Sequence, residues 1–241
     1  MNFKSLAFRF RMWILATLYI LGFWAPWESI LSTSRPGTLW LAASSLAARS
    51  GWMDLSTATH LVTFAALGCS LAGAALRVWG TAYLSGSVMR DPVMRGDRLV
   101  AGGPYRRLRN PLYTGTFLFS VGVSILMPPS GALFFLCALA LFQRFLIAGE
   151  ESFLLVRLGS AYGEYLRRVP RLMPSLTNKI PASMERARWL QAFLAEIYPV
   201  GYTLCFAVLA WRYNALILTQ SLLICIGISL VTRAMWAPSR T

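Results

Sequence analysis

Gly103-Pro104-Tyr105-Arg106-Arg107-Leu108-Arg109-Asn110-Pro111-Leu112-Tyr113-Thr114-Gly115 stands between two long apolar runs, and no other part of the chain gathers so many special residues. Gly103-Pro104 is turn chemistry. Asn110-Pro111 is a second break that biases Asn110 away from helix, and three arginines lie between the two breaks. A short, rigid, cationic loop with two tyrosines at the edge of an apolar helix suits an anion pocket. It equally suits a positive-inside membrane loop that sets orientation. Spacing alone leaves both readings open.

The surrounding composition is that of an integral membrane protein. Of 241 residues, 56% are hydrophobic and only 13% charged. Soluble domains carry roughly a quarter charged residues. Mean hydropathy is +0.55. The net charge of +14 does not indicate nucleic acid, because the basic residues cluster at the ends of apolar segments and not on one polar domain. Lysine occurs only at Lys4 and Lys179, so the basic residues are almost all arginines, which favours bidentate contacts to anions. Cys69, Cys137, Cys205 and Cys225 all fall inside apolar runs without metal-ligand spacing, so they read as buried small hydrophobes. His60 is the only histidine, which excludes a zinc site built on several histidines within this chain. No metal and no nucleic-acid partner is expected.

In order, the chain begins with Lys4, Arg9 and Arg11, followed by an apolar run from Met12 to about Leu31 read as a retained anchor with Pro26 and Glu28 near its far end. Thr38 to Ala48 is short and apolar, and suits an interfacial or re-entrant helix or a short span. Thr59 to Leu84 is a clear span rich in Ala, Gly and Ser, residues that let helices approach closely; Arg77 lies near its end. An intramembrane charge of this kind is either snorkelling or part of a site. Ser85 to Asn110 is polar, with six arginines against two acids. Leu112 to Met127 and Ala132 to Ala148 form a helical hairpin around Pro128-Pro129-Ser130-Gly131. Ser152 to Val169 has apolar residues at helical spacing and reads as an amphipathic surface helix, followed by an irregular connector marked by Pro170, Pro174 and Pro181. Two further spans, 189–211 and 214–232, complete an all-α polytopic bundle of about six transmembrane helices, with Glu196 and Pro199 interrupting the first of the two. Basic residues number six in the central loop against two, Arg35 and Arg49, in the first outer segment, so both termini are expected in the cytoplasm, in a bacterial inner membrane.

The hairpin returns Arg144, Glu150 and Glu151 to the same side of the membrane as the arginine loop. The two parts together suit a zwitterionic ligand, arginines and backbone N–H groups taking its anion and a carboxylate its ammonium. A helix end neutralised by nearby arginines is the alternative. There is no GxGxxG after a strand and no GxxxxGK[ST], so a Rossmann or P-loop cofactor domain is absent.

These residues carry a resemblance. Asp97-Arg98-Leu99-Val100, Gly103-Pro104-Tyr105-Arg106, Arg109 to Gly115, Glu150-Glu151, Gly159, Tyr162, Tyr165 and Val169-Pro170 resemble the C-terminal half of the isoprenylcysteine carboxyl methyltransferase family, which is related to the membrane phospholipid N-methyltransferases. The likeness covers about residues 70 to 175. It implies an all-helical, S-adenosylmethionine-dependent methyltransferase with its cofactor at the cytoplasmic end of the bundle. By position in the motif, Tyr105, Asn110, Pro111, Leu112, Tyr113 and the turn Asp97, Arg98, Leu99, Val100 would line the cofactor pocket. Glu150 would meet the charged methionine part, and Arg90 would be a further contact. On the acceptor side the expected residues are Arg144, Glu151 and Tyr113. Two positions depart from the family pattern: Asn110 stands where His is usual, and the substrate-contacting arginine aligns near Leu146, with Arg144 half a turn earlier.

The implied acceptor is lipophilic or prenylated, and would enter from the surrounding membrane lipids. Methyl transfer depends on close in-line placement, which can supply up to roughly 7–11 kcal/mol in the best intramolecular cases. An amine acceptor would also need a route for its proton, for which Glu151, Tyr113 or water are the candidates. Residues 1–58 read as an anchor helix and interfacial segment, 59–181 as the methyltransferase-like core, and 182–241 as a two-helix membrane extension. Two other readings stay open. Membrane sterol reductases end in a similar Arg-His/Asn-Pro-x-Tyr-x-Gly loop and use NADPH, in longer chains with more spans. A non-catalytic membrane scaffold or small transporter would use the same residues structurally.

Overall fold

A computed structural model describes residues 7–24, 37–84, 102–181 and 186–235. Within them the regular structure is all helical, with no strand. The helices are α1 (Arg11–Trp24), α2 (Leu39–Arg49), α3 (Leu55–Tyr83), α4 (Pro111–Ser124), α5 (Pro129–Arg168), α6 (Trp189–Ala195), α7 (Ile197–Leu209) and α8 (Ala215–Met235). Short 3-10 turns cover Gly103–Arg106 and Ala210–Arg212. The expected all-α membrane fold is present. Among the described residues, three helices are long and apolar enough to cross a bilayer: α3, α5 and the Ala215–Thr232 part of α8. A fourth span results if α6 and the helix through Arg212 are taken as one, bent by 76°. α4, at 14 residues, is shorter than a full crossing, and α1 covers 14 residues among those described, the rest of the expected Met12 to Leu31 run lying outside them. Phe64, Leu71, Leu133, Leu141, Leu204, Val208 and Ile224 are exposed, giving the spans an apolar outer surface of the kind that faces lipid.

The bundle is built on the crossing of α3 and α4. Asp54 caps α3, its carboxylate accepting from the backbone N–H of Ser56 at 3.0 Å and Thr57 at 3.2 Å. Ser70, Gly73 and Arg77 then present one face of α3 to Gly115, Phe119 and Gly122 of α4. A Cβ at Gly73 would sit 2.6 Å from the Gly115 carbonyl and against the Phe119 backbone N, so the two backbones touch with no room for a methyl group. This is the close approach anticipated from the small residues of this span. Phe119 and Val123 carry the packing onward to Tyr202, Phe206, Leu218 and Leu222 of the last helices. α2, 11 residues long, docks end-on: the N–H groups of Leu39 and Trp40 donate to the carbonyls of Met127 and Ile125 at 2.7 and 2.9 Å. Trp40 Nε1 also donates to Thr63 Oγ1 at 2.9 Å.

The helix pair around Pro128-Pro129 forms the expected tight hairpin, with Pro129 opening α5. One boundary differs from the sequence reading. α5 continues through Glu150 and Glu151, and its break falls at Gly159, where φ is +59° and ψ −136°. Glycine has no Cβ to oppose that backbone, so the helix can change direction there without interrupting the carboxylates. The amphipathic segment beyond it packs through Tyr162, Tyr165 and Val169. Gly159→Ala has open space around the new methyl but an unfavourable backbone. It is expected to cost about 1–3 kcal/mol, read as a lower thermal midpoint of the purified protein in detergent.

Candidate functional site

The arginine stretch is held from outside its own sequence. Pro104 and Tyr105 form a buried 3-10 turn, and Tyr165 Oη donates to the Tyr105 carbonyl at 2.9 Å. The segment after α5 then runs alongside: Arg109 N donates to Pro170 O at 2.9 Å, Ser175 N to Arg107 O at 3.0 Å and Lys179 N to Arg106 O at 2.9 Å. Two arginines join this seam, Arg106 Nε donating to Ile180 O and Arg107 Nε to Asn178 Oδ1, both at 2.9 Å. The proline-marked connector is thus irregular, as expected, and its work is to fasten the loop.

Asn110 has φ −122° and ψ 56°, and Pro111 takes the first helical position of α4, as the Asn-Pro pair predicts. The Asn110 side chain makes no capping bond. Its Nδ2 reaches across to Glu151 Oε1 at 3.3 Å and Arg171 O at 3.2 Å. Tyr113, in the first turn of α4, donates through Oη to Glu150 Oε1 at 2.6 Å. The loop, the start of α4 and the Glu pair therefore meet, which joins Tyr105, Asn110, Pro111, Leu112, Tyr113, Glu150 and Glu151 in one region.

The two adjacent carboxylates have different surroundings, because successive helical residues point about 100° apart. Glu151 is buried and enclosed by cations: Arg109 Nη1 lies 3.2 Å from its Oε1, and Arg171 forms a close ion pair with its Oε2. The neutralised-carboxylate alternative describes Glu151. Glu150 instead accepts from a neutral phenol, with the charge of Arg11 acting on it from α1. Tyr105 lies in the fields of both Glu150 and Glu196. Burial pushes its phenol well above the usual range, with Tyr165, Glu150 and Glu196 adding to the effect, so Tyr105 is a neutral group.

Arg144 is exposed on α5, two turns before Glu151, and takes no part in the contacts around Glu150. Arg90, Asp97, Arg98, Leu99 and Val100 lie outside the described residues, as do Pro26, Glu28 and Arg35. Two features were not anticipated. Arg171 had no signal beyond a basic residue after a proline. Arg77 and Glu196 each stand out as charges inside apolar runs, but nothing in the sequence pairs them: Arg77 Nε and Nη2 donate to the Glu196 carboxylate at 2.6 and 3.0 Å, across 119 positions in sequence. Among the described residues, no group of three or more His, Cys, Asp or Glu could hold a metal ion.

The donor set suits an amino-acid-bearing cation such as S-adenosylmethionine. Glu150 offers a carboxylate beside a neutral hydroxyl, and Tyr105 and Asn110 add buried polar groups.

Residues 61–161 match the family model described as phospholipid methyltransferase. The chain is 30% identical over 160 residues to the nickel-cobalt-cadmium resistance protein NccN of Alcaligenes xylosoxydans xylosoxydans, covering 64% of this chain and 70% of that one. It is 32% identical over 136 residues to the cobalt-zinc-cadmium resistance protein CzcN of Cupriavidus metallidurans, covering 56% of this chain and 59% of that one. No solved structure matches.

Proposed function

Since the chain belongs to the phospholipid methyltransferase family, a family of membrane methyltransferases, we propose that it is an S-adenosylmethionine-dependent enzyme that methylates a lipophilic or prenylated acceptor. The reading is isoprenylcysteine carboxyl methyltransferase-like, with transfer to an oxygen. The observation that carries it is the Tyr113–Glu150 contact, which lies inside the family-matched residues and joins the start of α4 to the middle of α5.

S-adenosylmethionine supplies an electrophilic methyl group on a sulfonium. In this proposal Glu150 binds the ammonium of its methionine part, and Tyr113 fixes the carboxylate's direction. Tyr105, Asn110, Pro111 and Leu112 line the same region; Arg90, Asp97, Arg98, Leu99 and Val100, outside the described residues, are assigned to cofactor binding by the family resemblance alone. Glu151 orients Asn110; a carboxylate acceptor brings no proton to remove, and only an amine acceptor would need Glu151, Tyr113 or water on the route of its proton. Arg144, exposed on α5, meets an acceptor carboxylate arriving from the lipid side. Both termini lie in the cytoplasm, which puts the cofactor's entry on the aqueous side and the acceptor's in the membrane. Fixed placement is what such a site contributes most, since misplacement by about 1 Å can cost on the order of a hundredfold in rate.

The family description itself favours a second reading, transfer to the amine of a phospholipid headgroup. The test has two stages. Detergent-solubilised protein is titrated calorimetrically with S-adenosylmethionine and with NADPH, and is then incubated with methyl-labelled S-adenosylmethionine and either a prenylcysteine or a membrane lipid extract. Saturable binding of S-adenosylmethionine and label in the prenylcysteine are expected. Label only in lipid would move the assignment to the amine, and binding of NADPH alone would end the methyltransferase reading.

A further inference from the structure

Glu196 is fully buried, lies at the 76° break between α6 and α7, and is outside the family-matched residues 61–161. Its carboxylate takes two bonds from Arg77 and one from Thr81 Oγ1 at 2.8 Å. The remaining Arg77 Nη1 donates to Thr116 Oγ1, and Thr116 Oγ1 donates in turn to the Leu112 carbonyl at 2.8 Å. Leu112 immediately precedes Tyr113 in the first turn of α4. On the other side, α6 is fixed to α3: Arg188 N donates to Ala82 O at 2.8 Å, and Ala192 packs on Val78 and Ala82.

Stability alone does not explain such a pair, because buried ion pairs can often be replaced by apolar residues of similar volume without loss. An apolar pair could not reproduce direction. The guanidinium fork of Arg77 is planar, with two bonds spent on Glu196 and the third aimed at Thr116, while its Cγ lies against the Gly115 backbone. We propose that Glu196 and Arg77 are positioning residues for methyl transfer: through Thr116 they set the first turn of α4 and with it the Tyr113 hydroxyl. The last two spans are then a working part of the site. The catalytic half of this inference rests on the methyltransferase reading above.

Two full-length variants test it. Arg77→Met with Glu196→Met removes the fork but keeps the volume. Thr116→Val removes only the relay hydroxyl, and decides the matter if the double variant does not fold. In each, 3-fluorotyrosine is placed at position 113 alone, its 19F resonance is recorded, and kcat and the cofactor KM are measured. The expected result is a displaced resonance and a kcat lower by about 30-fold, with KM changed far less than kcat, in protein that unfolds near the wild-type temperature. A resonance at its wild-type position, or kcat within about threefold of wild type in folded variants, overturns the proposal. If wild type itself transfers no methyl group, the function proposed above fails, and the resonance alone decides whether Tyr113 is positioned from Glu196.

Discussion

Glu150→Ala is expected to weaken S-adenosylmethionine binding by about 100-fold or more while the protein still folds, because truncating one partner of a buried charge pair costs about 2–5 kcal/mol. The hydrogen bond lost with Glu150 comes from the Tyr113 phenol, whereas Glu151 holds the guanidinium groups of Arg109 and Arg171. Tyr113→Phe removes one hydrogen bond to a charged group and should weaken binding by about tenfold. Glu151→Ala makes the informative contrast. It strips the countercharge from Arg109 and Arg171, so its first consequence is a lower unfolding temperature. Calorimetry and thermal unfolding of the three variants side by side separate the roles. Wild-type affinity in both Glu150→Ala and Tyr113→Phe would remove that pair from the cofactor site.

The largest effect on the fold is expected from Gly73→Leu. Any side chain there drives into the backbone of α4, at the Gly115 carbonyl and the Phe119 nitrogen, and neither can yield as a flexible side chain would. Overpacking of a well-filled interior costs about 1–3 kcal/mol, and a backbone obstruction stands at the upper end or beyond. The variant should lose its monodisperse elution from detergent and its cooperative thermal transition. Leu71→Ala on the exposed face of the same helix should keep both. An intact transition in Gly73→Leu would mean that α3 and α4 do not cross where described.

Much of this was legible in the sequence, for reasons that can be located. The apolar runs and the Pro128-Pro129 turn define α4 and α5, and the hairpin returns Glu150 and Glu151 to the side of the membrane that carries the arginine loop, although the turn does not dictate the contact between Glu150 and Tyr113. The small residues of α3 announced the crossing at Gly73. What could not be read depends on contacts made between remote segments. That Arg106 and Arg107 serve backbone and amide acceptors follows only once residues 170–180 lie against the loop. The division of labour between Glu150 and Glu151 depends on which way α5 is rotated about its axis, and Arg171 enters by that same docking. The helix boundary expected near residue 150 moved to Gly159 because continuous hydrogen bonding past two charges is favourable when arginines from other segments neutralise one of them.

The pairing of Arg77 with Glu196 also has a bearing on how the protein is made. A glutamate at mid-span is a poor candidate for release into lipid on its own. Its cation is synthesised 119 residues earlier, on α3, and both helices of the α3–α4 crossing precede α6 and α7 in the chain. The chain thus makes the receptor for its last hairpin before the hairpin itself.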